Sequence, residues 1–440
     1  MARRDGRLSR FCRALPRLCY FIMNIKSTII NRFPALASRD FVLFIIGQFL
    51  SVIGTWMQNT AQPYLAYQIS GSSLDLGLIG AASTLPTFVL ALPAGVLVER
   101  WDKRKTVIIL QTVMAALAFI LAALTFSHQI QIWHITLIAF IFGTASAVEI
   151  TARQAMLIEL VGRDALPSAI ALQTTAFNLG RVLGPSLAAP FMAAGSEGNA
   201  FLLNGFSFLF VIVGLFFART RYQIPHEESG ERDLIREFRE GAGYIARNQV
   251  VGSIVLMAGL MGALGLPLLQ QLPALARDVL KTLQDTESLV ALRTSQVYIA
   301  QGVGALVAAL LAAYFSSTRH KGVILTLGQV SFTVGMIALS GINNLPLALV
   351  VLAVVGWGSV TQLVTMNTLV QLQVPNDLRG RVFSFYLWAL QGVAPMGSLL
   401  VGWGAQSWGL AATMLASGVF LLATFALIHL FNPSLRAAEG

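Results

Sequence analysis

Glu149 is the only carboxylate that lies well inside the long apolar stretches of this 440-residue chain. A carboxylic acid in an apolar environment can take up and release a proton during a working cycle, so Glu149 is a candidate for proton coupling. The competing interpretation is a residue at the edge of its stretch that pairs with Arg153, one helical turn further on. Asp75 is a second candidate, although the run Ser72-Ser-Leu-Asp75 also fits a capping box that begins a helix.

Arg181 lies near the middle of another apolar stretch. If that stretch crosses a membrane, the arginine costs ~2.5–3.5 kcal/mol on insertion scales and must face a partner or a watery cavity. Binding of an anionic substrate, or pairing with a charge during transport, is one interpretation. The other is a structural arginine that bonds to backbone carbonyls and to Asn178.

Amide and tryptophan side chains recur in the same apolar stretches and could line a path for a solute. Amides bond neutral or zwitterionic solutes, and tryptophan stacks on flat or cationic ones. A hydrogen bond between helices is the competing interpretation for each single residue. The candidates besides Arg181 and Asn178 are Trp56, Gln58, Gln62, Gln301, Trp357, Gln362, Trp388 and Gln391.

The elements that would hold these residues are twelve apolar stretches. Hydrophobic residues make up 56% of the chain and charged residues 11%, against roughly 45–50% and 25% in soluble domains. A bilayer core of ~30 Å needs ~20 apolar residues per helix. We therefore predict an all-α polytopic membrane protein. Its spans are 41–68, 75–98, 106–126, 133–151, 168–194, 200–218, 250–273, 291–315, 323–342, 346–368, 382–405 and 408–432.

Lysine and arginine set the expected orientation, because cytoplasmic loops keep an excess of both. With the N-terminus inside, the inner segments hold 26 of the 30 basic residues. Both termini are therefore expected in the cytoplasm. The net charge of +10 indicates orientation and attraction to anionic lipid rather than nucleic-acid binding.

The chain divides near its middle into two predicted halves that echo each other weakly. Similar short runs begin at Lys103 and Arg319, 216 residues apart. Parallel repetition of two six-helix halves, with a substrate site between them, is one way in which secondary transporters are built. The predicted division is a basic tail at 1–40, bundles at 41–218 and 250–432, a linker at 219–249 and a tail at 433–440. Residues 231–243 of the linker look helical, and 274–290 is predicted to be a polar outer connection.

Two motifs carry a resemblance to a known family. Gly95-Val-Leu-Val-Glu99-Arg100-Trp-Asp102-Lys103-Arg104 resembles the signature that the major facilitator superfamily has between its second and third spans. Glu99 stands there for the usual aspartate and Asp102 for the usual glycine. Gly180-Arg-Val-Leu-Gly184-Pro185 resembles the glycine-proline signature of proton-driven antiporters, although Ala188-Ala189 replaces its closing glycine pair.

Other segments resemble the bacterial branch of this superfamily that exports drugs and siderophores, including enterobactin-type exporters. They are Gly54-Thr-Trp56-Met-Gln58, Arg153-Gln-Ala, Ala171-Leu-Gln-Thr-Thr-Ala-Phe-Asn178 and Arg379-Gly-Arg381-Val-Phe-Ser384. The resemblance implies two pseudo-symmetric six-helix bundles that rock around a central site.

The resemblance also implies roles for the motif residues. Gly95, Glu99, Arg100, Asp102, Lys103 and Arg104 would form a charge latch that closes the cytoplasmic side, whereas the competing interpretation is an ordinary basic inner loop. Gly180 and Gly184 form a small-residue face that lets a neighbouring backbone approach, and Pro185 permits a bend. Antiport rather than symport follows from the resemblance alone.

The expected function is a proton-coupled secondary exporter of small amphipathic compounds, working as a monomer with protons, a small-molecule substrate and membrane lipid as partners. A lysophospholipid or other lipid flippase of the same superfamily is one alternative, and a non-transporting sensor or scaffold is another. No P-loop and no clustered catalytic groups are present, so neither an enzyme nor a cofactor is expected. Cys12 and Cys19, the only cysteines, lie in the N-terminal tail, where neither a disulfide nor a metal site is favoured.

Overall fold

The structure is a computed structural model that describes residues 33–218, 234–281, 286–315, 318, 320–375 and 378–436. Within these ranges the side chains of 91–100, 234–238, 313 and 436 are outside the description. The two cysteines and most of the basic tail therefore lie outside the described residues. The regular elements of the described part are helices, as predicted.

The main helices of the described residues are given in chain order. They are α1 (Arg39–Ser70), α2 (Ser73–Arg100), α3 (Lys103–Phe126), α4 (Ile132–Ala193), α5 (Glu197–Phe217), α6 (Leu234–Arg247), α7 (Gln249–Gln270), α8 (Glu287–Tyr314), α9 (Lys321–Leu339), α10 (Leu345–Gln373), α11 (Arg379–Trp408) and α12 (Leu410–Phe431). Helix α7 contains a π turn at Met261–Gly265, and α11 contains one at Trp388–Gly392. Of these helices, all but α6 are long and apolar enough to cross a membrane.

Helix α4 is long enough to cross the membrane twice. Its 62 residues would extend about 93 Å at ~1.5 Å per residue, roughly three times the hydrocarbon thickness. The chain reverses at Gly162, whose φ of 77° and ψ of 172° are not helical. Counting both parts of α4, the described residues contain twelve candidate spans. The predicted inner connection at 152–167 is wrong in detail, because helix continues on both sides of Gly162.

Side-chain caps mark where several helices begin. The Ser72 hydroxyl accepts a hydrogen bond from the Asp75 amide at 3.2 Å, which is half of the capping box predicted at the start of α2. The Asp102 carboxylate accepts from the Lys105 amide at 3.0 Å at the start of α3. These caps satisfy backbone donors that the helix itself leaves unpaired.

Glycines let α1 and α4 pack with their backbones close together. A methyl group placed on Gly180 would lie 2.5 Å from Val52 Cγ1, and one on Gly184 would lie 2.4 Å from Trp56 Cβ. Any larger residue at either position would push the two helices apart. Pro185 is buried between them, and the backbone there stays helical, so the departure from helical geometry in α4 lies at Gly162 instead.

Two of the predicted connections contain ordered structure. Helix α6 forms within the predicted linker, where the Tyr244 hydroxyl donates to the carbonyl of Gln373 at 3.1 Å and Glu240 pairs with Arg381. The outer connection predicted at 274–290 is not a fully solvated loop. Leu275 and Leu280 are each only 1% exposed, because this segment packs into the core.

The reversal at Gly162 gives a stability prediction. This φ/ψ combination is populated almost only by glycine, so Gly162→Ala should destabilise the protein by about 1–3 kcal/mol. Thermal unfolding in detergent should show a lower midpoint. Gly243→Ala in α6 is the matched control, because a methyl group there has nothing within 4 Å. An unchanged midpoint for Gly162→Ala would contradict the strained reversal.

Candidate functional site

A cavity of about 370 Å³ lies between the first six and the last six spans. Helices α1, α2 and α4 form one wall, and α7 and α8 form the other. Its polar lining is Trp56, Gln58, Asn59, Gln62, Ser83, Arg181, Gln270, Tyr298 and Gln301. A site formed by both halves is where a transporter of this architecture would hold a solute.

Arg181 lines this cavity and lies against aromatic rings. Its guanidinium carbon is 5.2 Å from the ring centroid of Trp56 and 5.9 Å from that of Phe177. Its Nε is buried and has no hydrogen-bond partner in the described part of the chain. Asn178 donates to the carbonyl of Thr174 at 2.9 Å rather than to Arg181. Two aromatic faces therefore hold the cation, and its hydrogen-bonding capacity is not fully used.

The amides of α1 form a buried chain toward α5. The side-chain nitrogen of Gln58 donates to the side-chain oxygen of Gln62 at 3.0 Å, and the side-chain oxygen of Gln58 accepts from the side-chain nitrogen of Asn204 at 2.7 Å. Ser207 donates to Asn204 at 3.1 Å. Both ends of Gln58 are thus used in bonds to protein, so this residue joins helices and also forms part of the cavity wall. Asn204 was not a candidate from the sequence, because a lone asparagine in an apolar stretch has no distinguishing spacing.

Several predicted path residues lie away from the cavity. Trp357 lies in a separate groove, and Gln362 is fully buried within the second half. Trp388 is half exposed and lies 5.7 Å from Phe88, ring centroid to ring centroid. Gln391 is exposed in the π turn of α11. The structure therefore brings together Trp56, Gln58, Gln62, Arg181 and Gln301, and separates the other candidates from them.

Glu149 is buried in a polar cluster in the first half. Its side chain, 4% exposed, accepts hydrogen bonds from Gln111 at 3.0 Å and from Arg153 at 3.1 Å. The pair with Arg153 is the one that helical spacing suggested. Gln111 was missed, because it lies on α3, 38 residues away. The carboxylate is thus held by one cation and one amide and lies outside the lining of the central cavity.

The outer ends of the two halves are bonded together. The Tyr67 hydroxyl donates to the carboxylate of Asp278. The Tyr64 hydroxyl donates to the backbone carbonyl of Glu287 at 3.3 Å, and Gln68 lies 3.5 Å from the same residue's carboxylate. These contacts join α1 to the start of α8 and to the segment before it, which the sequence did not link to α1.

Further bonds strengthen this outer closure. Arg277 pairs with Glu287 at 2.8 Å. The Ser73 amide donates to Gln406 at 3.0 Å, and the Ser73 carbonyl accepts from Gln271 at 3.2 Å. These bonds close the cavity at the end of the two halves where α1 meets the start of α8.

The predicted cytoplasmic latch is only partly described. Lys103 pairs with Glu159 at 3.2 Å, and Arg104 donates to the carbonyl of Phe216 at 3.0 Å. Asp102 caps α3. All these contacts stay within the first half. The side chains of Gly95, Glu99 and Arg100 lie outside the description, so their latch role stays a prediction.

The outer closure gives a second prediction. Tyr67→Phe removes the hydrogen bond to Asp278. The ratio of outward-open to outward-closed protein should then rise about tenfold, since bonds to charged groups contribute about 1.5–3 kcal/mol. The measurement is the rate at which a thiol reagent added outside labels Asn59→Cys, in a protein that lacks Cys12 and Cys19. Tyr244→Phe is the control, because that hydroxyl bonds Gln373 away from the closure. Equal labelling in the two variants would contradict this role.

Comparison with known proteins agrees with this architecture. The profile of a family described as transmembrane secretion effector matches residues 30–439. The multidrug efflux pump Tap of Mycolicibacterium fortuitum is 25% identical, with 90% of this chain and 97% of that protein covered. The enterobactin exporter EntS of Escherichia coli O157:H7 is 24% identical, with 95% and 100% covered.

Solved structures agree in fold. The nucleoside transporter NupG superposes with a TM-score of 0.70 at 12% identity, covering 88% of this chain and 99% of that one. A bacterial homologue of the human lysosomal transporter Spinster, solved in an inward-facing and unoccupied conformation, gives 0.69 at 13% identity, covering 91% and 97%. The chain thus belongs to the transmembrane secretion effector family of the major facilitator superfamily and is a multi-pass membrane transporter, not an enzyme.

Proposed function

We propose that the protein exports small amphipathic compounds in exchange for protons by alternating access. The observation that carries the proposal is the cavity formed by both halves and closed at its outer end by Tyr67, Asp278 and their neighbours. A solute could enter such a cavity from the inner side. Breaking the outer bonds while the inner ends close would release the solute outside.

The cavity chemistry favours a solute with acceptor oxygens and a flat apolar part. Arg181 keeps unused hydrogen-bonding capacity, and a guanidinium binds carboxylate or phenolate oxygens strongly. Trp56 and Tyr298 offer aromatic surface in the same cavity. The names of Tap and EntS point to drugs and to a siderophore for those proteins. For this chain, Arg181 favours an anionic or acceptor-rich amphiphile over a cationic one.

We assign the proton to Glu149. As a carboxylate it is compensated by Arg153 and Gln111, and protonation would weaken both interactions. The link between α3 and α4 would then loosen, which couples the proton to the packing of the first half. Leu157 and Met156, two turns beyond Glu149, are fully buried and would transmit that loosening toward the reversal at Gly162.

The alternative of a lipid flippase has less support. Such a protein would need a wide lateral opening lined by apolar residues. Here the cavity lining includes Arg181 and several amides, and the Phe88 and Trp388 rings meet between α2 and α11. We also propose that the protein lies in a bacterial inner membrane with both termini in the cytoplasm. It would act as a monomer, and the linker at 219–249 would join its two moving bundles.

Glu149→Gln tests the coupling. In proteoliposomes, wild-type transport should rise with an imposed pH gradient, and the variant should lose about tenfold or more of that stimulation, as when a proton-transfer group is removed. Glu159→Gln is the matched control, since it removes a carboxylate of the same helix that pairs with Lys103. Full stimulation in Glu149→Gln would rule out this carboxylate as the coupling group.

Arg181→Gln tests the substrate class. The KM for an anionic catecholate should rise about tenfold, because charge-assisted bonds contribute about 1.5–3 kcal/mol, while the KM for a neutral amphiphile should change little. Arg181→Lys should give an intermediate value, since it keeps the charge and loses the planar fork. Equal losses for both substrates would indicate a structural arginine instead, and unchanged melting temperatures exclude misfolding.

A further inference from the structure

The central cavity offers more hydrogen-bond donors than acceptors. Among the described residues that line it there is no carboxylate, so the lining has no partner for a cationic amine. The Arg181 guanidinium carries donors only, and its Nε makes no hydrogen bond in this part of the chain. Two glutamines of the lining add further donors, because their side-chain oxygens are already in use.

The first of these glutamines is Gln62 on α1. Its side-chain oxygen accepts from the side-chain nitrogen of Gln58 at 3.0 Å. The Gln58 oxygen in turn accepts from Asn204 at 2.7 Å, so the donors of this buried chain all point from α5 toward the cavity. The side-chain nitrogen of Gln62 makes no hydrogen bond to the described residues. This donor is therefore left for the cavity that Gln62 lines.

Gln270, the last residue of α7, presents a donor in the same way. Its side-chain oxygen accepts from the Ser398 hydroxyl at 3.0 Å, and its nitrogen has no hydrogen-bond partner in the described ranges. The amide lies against α2, where a methyl group on Gly80 would overlap its oxygen. Gly80 thus lets an amide of the second half reach the wall that the first half forms. The adjacent Gln271 donates to the Ser73 carbonyl at 3.2 Å, so Gln270 lies toward the closed end of the cavity.

Both amides are displaced from Arg181 along the axis of the bundle. Arg181 lies at the ring of Trp56, with its guanidinium carbon 5.2 Å from the ring centroid. From Trp56 to Gln62, α1 rises about 9 Å toward the closed end, at ~1.5 Å per residue. The cavity therefore has one strong donor group at Arg181 and a second, neutral donor pair nearer its closed end.

We propose that Gln62 and Gln270 bind a second acceptor oxygen of the transported compound, about 9 Å along the cavity from the anionic group at Arg181. The compound would carry an anionic group and a separate carbonyl, ether or phenolic oxygen, joined by a flat apolar part beside Trp56 and Tyr298. This inference rests on the proposed function, in which Arg181 binds an anionic amphiphile, and adds the length and the second polar group of that compound.

The position of the two amides gives the second acceptor a part in release. Gln62 belongs to the first half and Gln270 to the second. One oxygen can bond to both amides only while the halves are close together at this end. When the halves separate there, one of the two bonds is lost and the compound binds more weakly. That difference in affinity favours release on the side to which the cavity has opened.

Two naphthoates of equal charge and similar volume test the second acceptor. One is 6-acetyl-2-naphthoate, which carries a carbonyl at the end of the rings opposite its carboxylate. The other is 6-ethyl-2-naphthoate, which has no acceptor there. Calorimetric titration of the whole chain in detergent gives the Kd of each compound. Wild type should bind the acetyl compound about tenfold more tightly, the size expected for up to two hydrogen bonds between neutral groups.

Gln62→Met and Gln270→Met each remove one donor at nearly constant volume. Either variant should reduce the preference for the acetyl compound to about threefold, and the double variant should remove it. An unchanged Kd for the ethyl compound in these variants shows that the site still folds. Gln391→Met is the matched control, because this exposed glutamine of α11 lies outside the cavity lining. It should keep the full preference.

Arg181→Gln separates this inference from the proposed function. It should raise the Kd of both naphthoates about tenfold and leave the preference for the acetyl compound unchanged. Equal Kd values for the two compounds in wild type would overturn the second acceptor site and leave the anion site at Arg181 intact. A preference that survives in the double variant would also overturn it. Binding of neither compound by wild type would contradict the proposed substrate class and this inference together.

Discussion

Lipid hydrocarbon offers no hydrogen bonds, so each polar group inside the spans needs a partner from the protein or from water. This constraint explains the buried chain of Gln58, Gln62 and Asn204, and the cluster of Glu149 with its two partners. Arg181 is the charged exception of most interest among several buried side chains with an unpaired atom, because aromatic rings hold its charge while its Nε has no partner among the described residues. A cation with unused donors is stable at this depth only beside a cavity that water or a solute can fill.

The same constraint explains why the halves make polar contacts at the outer end and close backbone contacts deeper in the membrane. At the outer end, tyrosine hydroxyls and carboxylates join the halves, and these bonds can exchange with water when the halves separate. Deeper in the membrane the halves meet through close backbone contacts instead. A methyl group on Gly77 would lie 2.4 Å from the carbonyl of Ser398. Such contacts have no polar groups to leave unpaired, so rocking about them costs little.

Local patterns predicted much of the fold and little of the site. Span length and hydropathy predicted the spans, and the i to i+4 spacing offered the pair of Glu149 with Arg153 as the competing interpretation. Glycine spacing predicted a face of α4 that a neighbouring backbone approaches closely, but not that α1 is the neighbour. A reversal was predicted between the spans 133–151 and 168–194, but not its position at Gly162 or the helix that continues to both sides of that glycine. The partners Gln111 and Asp278 were missed too, since they lie 38 and 211 residues from Glu149 and Tyr67. Trp357 was predicted to line the path because tryptophan can stack on a flat solute, but residue type alone does not show that it lies in a separate groove.

The central claim is that the two halves open and close in opposition at their two ends. Spin-label distances measure it directly, with an outer pair at Gln129 and Asn343 and an inner pair at Lys105 and His320, all four exposed. Without substrate at alkaline pH, the outer pair should be at its shortest distance and the inner pair at its longest. A transported substrate at acidic pH should lengthen the outer distance and shorten the inner one. Distances that stay constant, or that change in the same direction at both ends, would contradict alternating access around the cavity at Arg181.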